Sequence, residues 1–247
     1  MWTLWKETLL RPATTPLAIG ALAYLPCVFG LKHYMQSRPA FELNTALLLW
    51  NLGLSVFSWW LASEVVPLLI AELKNHGGSV SEQLCDPTVY ERDARSWAIF
   101  VFNVTKCLEW TDTLFLLLRK RPLIFLHWFH HLTTMLYCWH ATLYSHSSDA
   151  SGVWFCCMNV VVHGWMYGYY AWRACGWSVP RVISKSITVV QTLQMLVGIA
   201  ILFTTIKNCD GNWGGNRFAA AMYFVYLVLF AQILFAPPRK RPKKKKE

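Results

Sequence analysis

Charge is scarce in this chain: Asp, Glu, Lys and Arg make up 15% of its 247 residues, and 55% belong to the apolar and aromatic set. A soluble domain carries about 25% charged residues. The deficit excludes a disordered chain and argues against an ordinary water-soluble domain. Acidic residues are the scarcer sign, 13 against 23 basic ones, but seven of the basic residues and one acid lie between Arg239 and Glu247. Without that stretch the balance is sixteen to twelve, so the basicity belongs mostly to a tail. The first residues lack a compact apolar core followed by small side chains, so no cleavable signal is expected. No repeat of 20 to 50 residues is evident. What the chain has in excess is aromatics, with 14 Trp, 10 Tyr and 14 Phe, which suit the belts at membrane interfaces.

Crossing about 30 Å of hydrocarbon takes roughly 20 helical residues. Seven apolar runs of that length occur, Pro16 to Met35, Asn44 to Ile70, Ser96 to Leu118, Pro122 to Leu143, Gly152 to Trp172, Lys185 to Ile206 and Asn216 to Phe235. The expected fold is all-α, a polytopic bundle of seven transmembrane helices enclosing a cavity over residues 1–236, with a basic cytosolic tail at 237–247. Pro26 and Pro67 fall inside two runs and predict kinks or early ends, because proline removes a backbone donor. The longest connection, Ala71 to Arg95, is polar and contains Gly77 and Gly78.

Lysine and arginine counts orient the chain. The side holding the C-terminus collects fifteen and the other side seven, with Lys106 inside a run. The C-terminus is therefore expected in the cytosol. Cys85 and Cys209 lie in loops well clear of the runs, both on the opposite, non-cytosolic side. They read either as two free thiols or as a pair in an oxidising lumen. The sequon at Asn103 lies inside the third run and is expected to be silent.

Ionisable groups inside membrane spans point to function. The third run carries Lys106, Glu109 and Asp112. The fourth carries His127, His130 and His131, whose i, i+3, i+4 spacing puts them on one helix face. The fifth carries Asn159, His163, Met166, Tyr167 and Tyr170 in one stripe, and the sixth Thr188, Gln191 and Gln194. At 1.5 Å per residue His127 to His131, Glu109 and Asp112, His163, and Gln191 and Gln194 lie about 7–15 Å below the cytosolic ends of their helices. Four helices thus bring polar groups to one layer, which needs an enclosed cavity, since facing lipid would leave the donors unpaired. Basic residues ring the rim, where a polyanionic group can be held. Blander readings exist: Lys106 and Glu109 as a self-neutralising i, i+3 pair, Tyr167, Tyr169 and Tyr170 as interface belt, Met166 as packing. His33, His76, His140 and His146 read as solvated surface.

The segments Lys106-Cys-Leu-Glu109-Trp-Thr-Asp112-Thr113, His127-Trp-Phe-His130-His131, Asn159 through Tyr170 and Thr188-Val-Val-Gln191-Thr-Leu-Gln194 resemble the four signature motifs of the very-long-chain fatty acid elongases, in order and correctly separated. These are condensing 3-ketoacyl-CoA synthases of the endoplasmic reticulum. Trp128 and the run leading to it are more similar to the branch acting on saturated and monounsaturated acyl-CoAs. The resemblance implies seven spans and condensation of acyl-CoA with malonyl-CoA to 3-ketoacyl-CoA, carbon dioxide and CoA. It also implies a luminal Cys85–Cys209 disulfide, and no metal or other cofactor. Candidate partners beyond the two substrates and membrane lipid are the reductases and dehydratase of the elongation cycle and a further copy of the chain, and the sequence leaves these open.

Under that resemblance, His130 is the expected acyl carrier, since a neutral imidazole can attack a thioester, with His131 or His127 as its orienting or proton-transfer partner. His163 is expected to polarise the malonyl thioester, and Asn159, Gln191 and Gln194 to donate to carbonyls. Glu109 and Asp112 would set histidine tautomers and Lys106 balance their charge. Arg119, Lys120, Arg121 and Lys185 would hold CoA phosphates. Lys244 and Lys245, fourth and third from the C-terminus, resemble a dilysine signal for retrieval to the endoplasmic reticulum, or else a patch for anionic lipid. The histidine box also admits a metal-dependent desaturase or hydroxylase, although those enzymes carry several boxes. A seven-span receptor or lipid-binding protein is the non-enzymatic alternative.

Overall fold

The computed structural model describes residues 7–8, 11–144, 148–211 and 213–236. The tail with Lys244 and Lys245, and His146, lie outside them. Among the described residues all regular structure is helical. The long helices are α1 (Arg11–Tyr34) and α2 (Asn44–Asn75), followed by two short ones, α3 (Val80–Leu84) and α4 (Val89–Arg92). Then come α5 (Trp97–Leu108), α6 (Trp110–Leu118), α7 (Phe125–Tyr144), α8 (Ser151–Ala174), α9 (Arg181–Asn208) and α10 (Trp213–Phe235). Each apolar run of the sequence lies on a helix or a pair of helices. By length and composition, four stretches among the described residues can cross a membrane: Arg11–Ser37, Asn44–Asn75, Arg181–Asn208 and Gly214–Phe235.

Two expectations need correction. The third run is two helices, broken at Glu109, where ψ relaxes to −15° and the Asp112 amide bonds back to the Glu109 carbonyl, an i to i+3 turn. No proline or glycine marks that spot. Of the kinks or early ends expected at Pro26 and Pro67, the early ends do not occur: α1 continues through Pro26 and α2 through Pro67. Neighbours and apolar surroundings hold such helices together despite one missing donor.

The two ends of the bundle are fastened differently. At one end, Cys85 and Cys209 form a disulfide that joins the α2–α5 connection to the start of the α9–α10 loop. There the Ala150 amide also bonds the Leu84 carbonyl, and Trp154 donates to Gln83. Asn216 donates to buried Asp149. Buried Glu72 accepts from Arg92, and His76 meets Asp86 at 3.1 Å, so His76 is bound into this end rather than freely solvated. Arg95 beside Asp93 holds that carboxyl below its ordinary range. Asn103 is buried and donates to Thr142 at 2.6 Å, which fits a silent sequon.

At the other end the α6–α7 turn is pinned to the α1–α2 loop. Lys120 adopts φ +51°, and its Nζ donates to the carbonyls of Gln36 and Arg38 at 3.1 Å. The core lies between these ends, with α2 and α8 packed along their length and α9 against α10. Helix α1 is the loosest member, joined chiefly through buried Tyr24 and Val28 to Leu117 and their neighbours.

Candidate active site

The histidines share one cavity. A space of about 590 Å³ opens between α2, α6, α7, α8, α9 and α10, and its walls include His127, His130 and His131 from α7 and His163 from α8. Their helical spacing puts the α7 side chains on the inner face. Ring centroids of His127 and His131 are 4.4 Å apart, and those of His130 and His131 5.5 Å.

Behind His163 a buried polar chain fixes its tautomer. Lys106 Nζ donates to Glu109 Oε1 at 2.6 Å and to Asn159 Oδ1 at 2.9 Å. An ammonium only donates, so the amide of Asn159 must turn its oxygen to Lys106 and its nitrogen to His163, whose Nε2 lies 3.3 Å away. That ring nitrogen is therefore an acceptor, and the proton sits on Nδ1, which faces Glu109 Oε1 at 3.6 Å. Lys106 and Glu109 are both buried, where an ion pair persists only if its remaining hydrogen-bonding capacity is also met. Asn159 meets part of it, so the pair does more than neutralise itself.

Asp112 behaves otherwise than expected. Its two oxygens accept from Trp50 Nε1 at 2.6 Å and Tyr167 OH at 2.7 Å, and no bond to a histidine is formed among the described residues. The carboxylate faces α2 and α8, and both of its oxygens are occupied there. Its reach to the imidazoles runs through Tyr167, whose ring stands edge-on to His163 at 5.3 Å. Tyr167 is thus a member of the site rather than interface belt, while Tyr170 lines the cavity with a half-exposed ring. Gln191 Nε2 approaches Met166 Sδ at 3.3 Å, and Gln191 and Gln194 both line the space.

At the rim the arginines divide from the lysines. Arg119, Arg121 and Arg173 line the cavity. Lys120 is turned away to the loop carbonyls, and Lys185 is exposed outside the lining. Arg173 therefore stands where Lys120 and Lys185 were expected.

Several partners of the site escape sequence reasoning, Trp50 and Tyr226 because they come from helices without ionisable groups in the polar layer. Trp50 of α2 holds Asp112. Tyr226 of α10 packs on His130 at 5.0 Å and bonds Thr133 and Thr134, pinning the box from behind. Thr113, inside a quoted motif but without a role, meets His127 Nε2 at 3.1 Å. Among the described residues, the set of three His, Cys or carboxylate ligand atoms gathered within 4.8 Å is Glu72, His76 and Asp86, at the opposite end of the bundle.

A helical, multi-pass membrane protein with an imidazole-walled cavity under an arginine rim is what fold and site together define. The chain belongs to the GNS1/SUR4 (ELO) family, whose model matches residues 9–246. It is similar to very long chain fatty acid elongase 6 of Gallus gallus, 36% identical over 237 residues that cover 94% of this chain and 84% of that protein. The Homo sapiens protein of the same name is 35% identical over the same shares. That of Drosophila melanogaster is 38% identical over 86% of this chain and 68% of its own length.

Proposed function

We propose that this chain is the condensing enzyme of fatty acid elongation, joining long-chain saturated or monounsaturated acyl-CoA to malonyl-CoA and releasing carbon dioxide and CoA. The observation that carries the reading is the meeting of His130 and His163, from two helices, in one cavity whose rim is lined by Arg119, Arg121 and Arg173. Membership of a family whose relatives bear the elongase name supports the same reaction.

In this reading a ring nitrogen of His130 attacks the acyl thioester. The carbon–sulfur bond breaks, CoA leaves as the thiolate, and the imidazole proton released as the acyl-imidazole forms neutralises it. Malonyl-CoA then loses carbon dioxide, and the electron pair of the broken carbon–carbon bond forms an enolate. The enolate carbon attacks the acyl carbonyl, the nitrogen–carbon bond breaks, and the ring regains a proton from solvent. One proton is consumed per turnover. With the His163 proton held toward Glu109, donation to the enolate oxygen falls to the second N–H of Asn159, strengthened by Lys106 on the same amide. The arginines bind CoA phosphates bidentately.

The chemistry requires no metal or cofactor, and the box histidines do not form a compact ligand set with a carboxylate among the described residues. Treatment with a chelator should leave condensation unchanged. Seven crossings, residence in the endoplasmic reticulum and a cytosolic C-terminus complete the reading; the shared end of the disulfide-linked loops fits that topology, and the basic tail fits the orientation. The test is purified protein given labelled malonyl-CoA and a panel of acyl-CoAs, with released carbon dioxide counted. His130→Ala should abolish acyl-dependent release and the acyl adduct on its peptide. Full activity in that variant would overturn the carrier assignment.

A further inference from the structure

Helix α1 is packed lightly against the rest of the bundle, yet one of its few buried side chains ends at the histidine box. Tyr24 OH lies 2.9 Å from Thr113 Oγ1, and the same oxygen lies 3.1 Å from His127 Nε2. Tyr24 is buried, its ring 4.5 Å from that of Trp110. Among the described residues the phenol meets no other hydrogen-bonding partner. We propose that Tyr24 is a positioning residue, which through Thr113 fixes the tautomer of His127 in the condensing site. The inference rests on the reading of this chain as a condensing enzyme and extends it to a helix that contributes nothing to the cavity wall.

The argument is one of counting hydrogens. A hydroxyl donates once and accepts twice, so three groups sharing two contacts have three proton arrangements, two with the proton on Nε2 and one with Nε2 bare. If His127 Nε2 carried the proton, it would donate to Thr113, and either the phenol hydrogen or, with Tyr24 also donating to Thr113, the buried threonine hydrogen would be left with no acceptor. With Nε2 bare, the phenol donates to Thr113, which gives its own hydrogen to Nε2, and both hydroxyl hydrogens are used. This arrangement leaves the imidazole proton on Nδ1, the nitrogen not held by Thr113. His127 lines the cavity 4.4 Å from His131, so this choice decides which ring edge offers a donor there. Both histidines whose nitrogens are engaged from behind, His127 and His163, then hold the same tautomer, each with Nε2 as acceptor.

The test combines kinetics with a spectroscopic reading. In ¹⁵N-histidine-labelled protein in detergent, the signal lost in His127→Gln should report a protonated Nδ1 and a bare Nε2. Thr113→Val should move that signal and lower kcat about 10-fold or more, the range in which orienting partners of functional histidines act, with KM for acyl-CoA unchanged. Tyr24→Phe keeps the ring against Trp110 and should show a mixture of tautomers, a fall in kcat of the same kind and an unchanged melting temperature. The double variant should be no worse than Thr113→Val, because both cut one chain, and Thr113→Ser should restore both readouts. A proton on Nε2 in the wild type, or a Tyr24→Phe variant with wild-type kcat and signal, overturns the proposal. Failure of the wild type to condense would overturn the function instead, and the spectrum would still decide the relay.

Discussion

Asn159 has the most exposed role of any single residue, because its amide is the hinge between a cation and an imidazole. Lys106 fixes its oxygen and His163 receives its nitrogen. Asn159→Asp keeps the shape and removes the donor. The new carboxylate would draw Lys106 and force His163 to carry its proton on Nε2. Condensation should fall at least about 100-fold, the loss typical of removing a donor to a developing oxyanion, while folding, measured by thermal melting, should change little. Retention of carbon dioxide release within a few-fold of wild type would remove Asn159 from the donor role. At this scale much was legible. Lys106, Glu109, Asn159 and the four histidines declare themselves as polar groups in apolar surroundings. Trp50, Tyr24 and Tyr226 do not, because one hydroxyl or indole N–H on an aromatic ring in an aromatic-rich chain is no signal until a partner is seen.

Among the elements, the seams between helices were the least legible part. Periodicity locates an apolar helix but not which neighbour it touches, and so α9 gave no hint that Gly198 is a contact point. A Cβ placed there would lie 2.3 Å from Tyr223 Cε1 and 2.6 Å from Cδ1. Tyr223 cannot retreat freely, being buried with its ring centroid 5.0 Å from that of Phe155. Gly198→Ala should therefore cost about 1–3 kcal/mol by overpacking, seen as a lower melting temperature, and Tyr223→Val in the same chain should recover part of it. An unaffected melting temperature in the single variant would mean that α9 and α10 are free to part. The break at Glu109 was hidden for a related reason: its turn is held by backbone bonds, with no glycine or proline to mark it.

Over the whole molecule, hydropathy and spacing sufficed for the helical architecture and for placing the loops of Cys85 and Cys209 at one end of it. The pairing itself came from family resemblance, since two loop thiols are equally compatible with remaining free. The bond closes a separation of 124 residues, and a link of that span restrains the unfolded chain by about 2–5 kcal/mol. Cys85→Ser should lower the melting temperature, and reductant should bring the wild type to the same value without further effect on the variant. If reductant shifts both alike, the stabilisation lies elsewhere.

The unequal fastening of the two ends also bears on the order of events. One end is stitched by a covalent bond and buried carboxylate contacts, and the three arginines stand together at the other. Two polyphosphate handles would contend for a single landing. Under the condensation proposed above, the first carrier would depart before its successor docks, and in that interval the acyl group would be held by the protein alone.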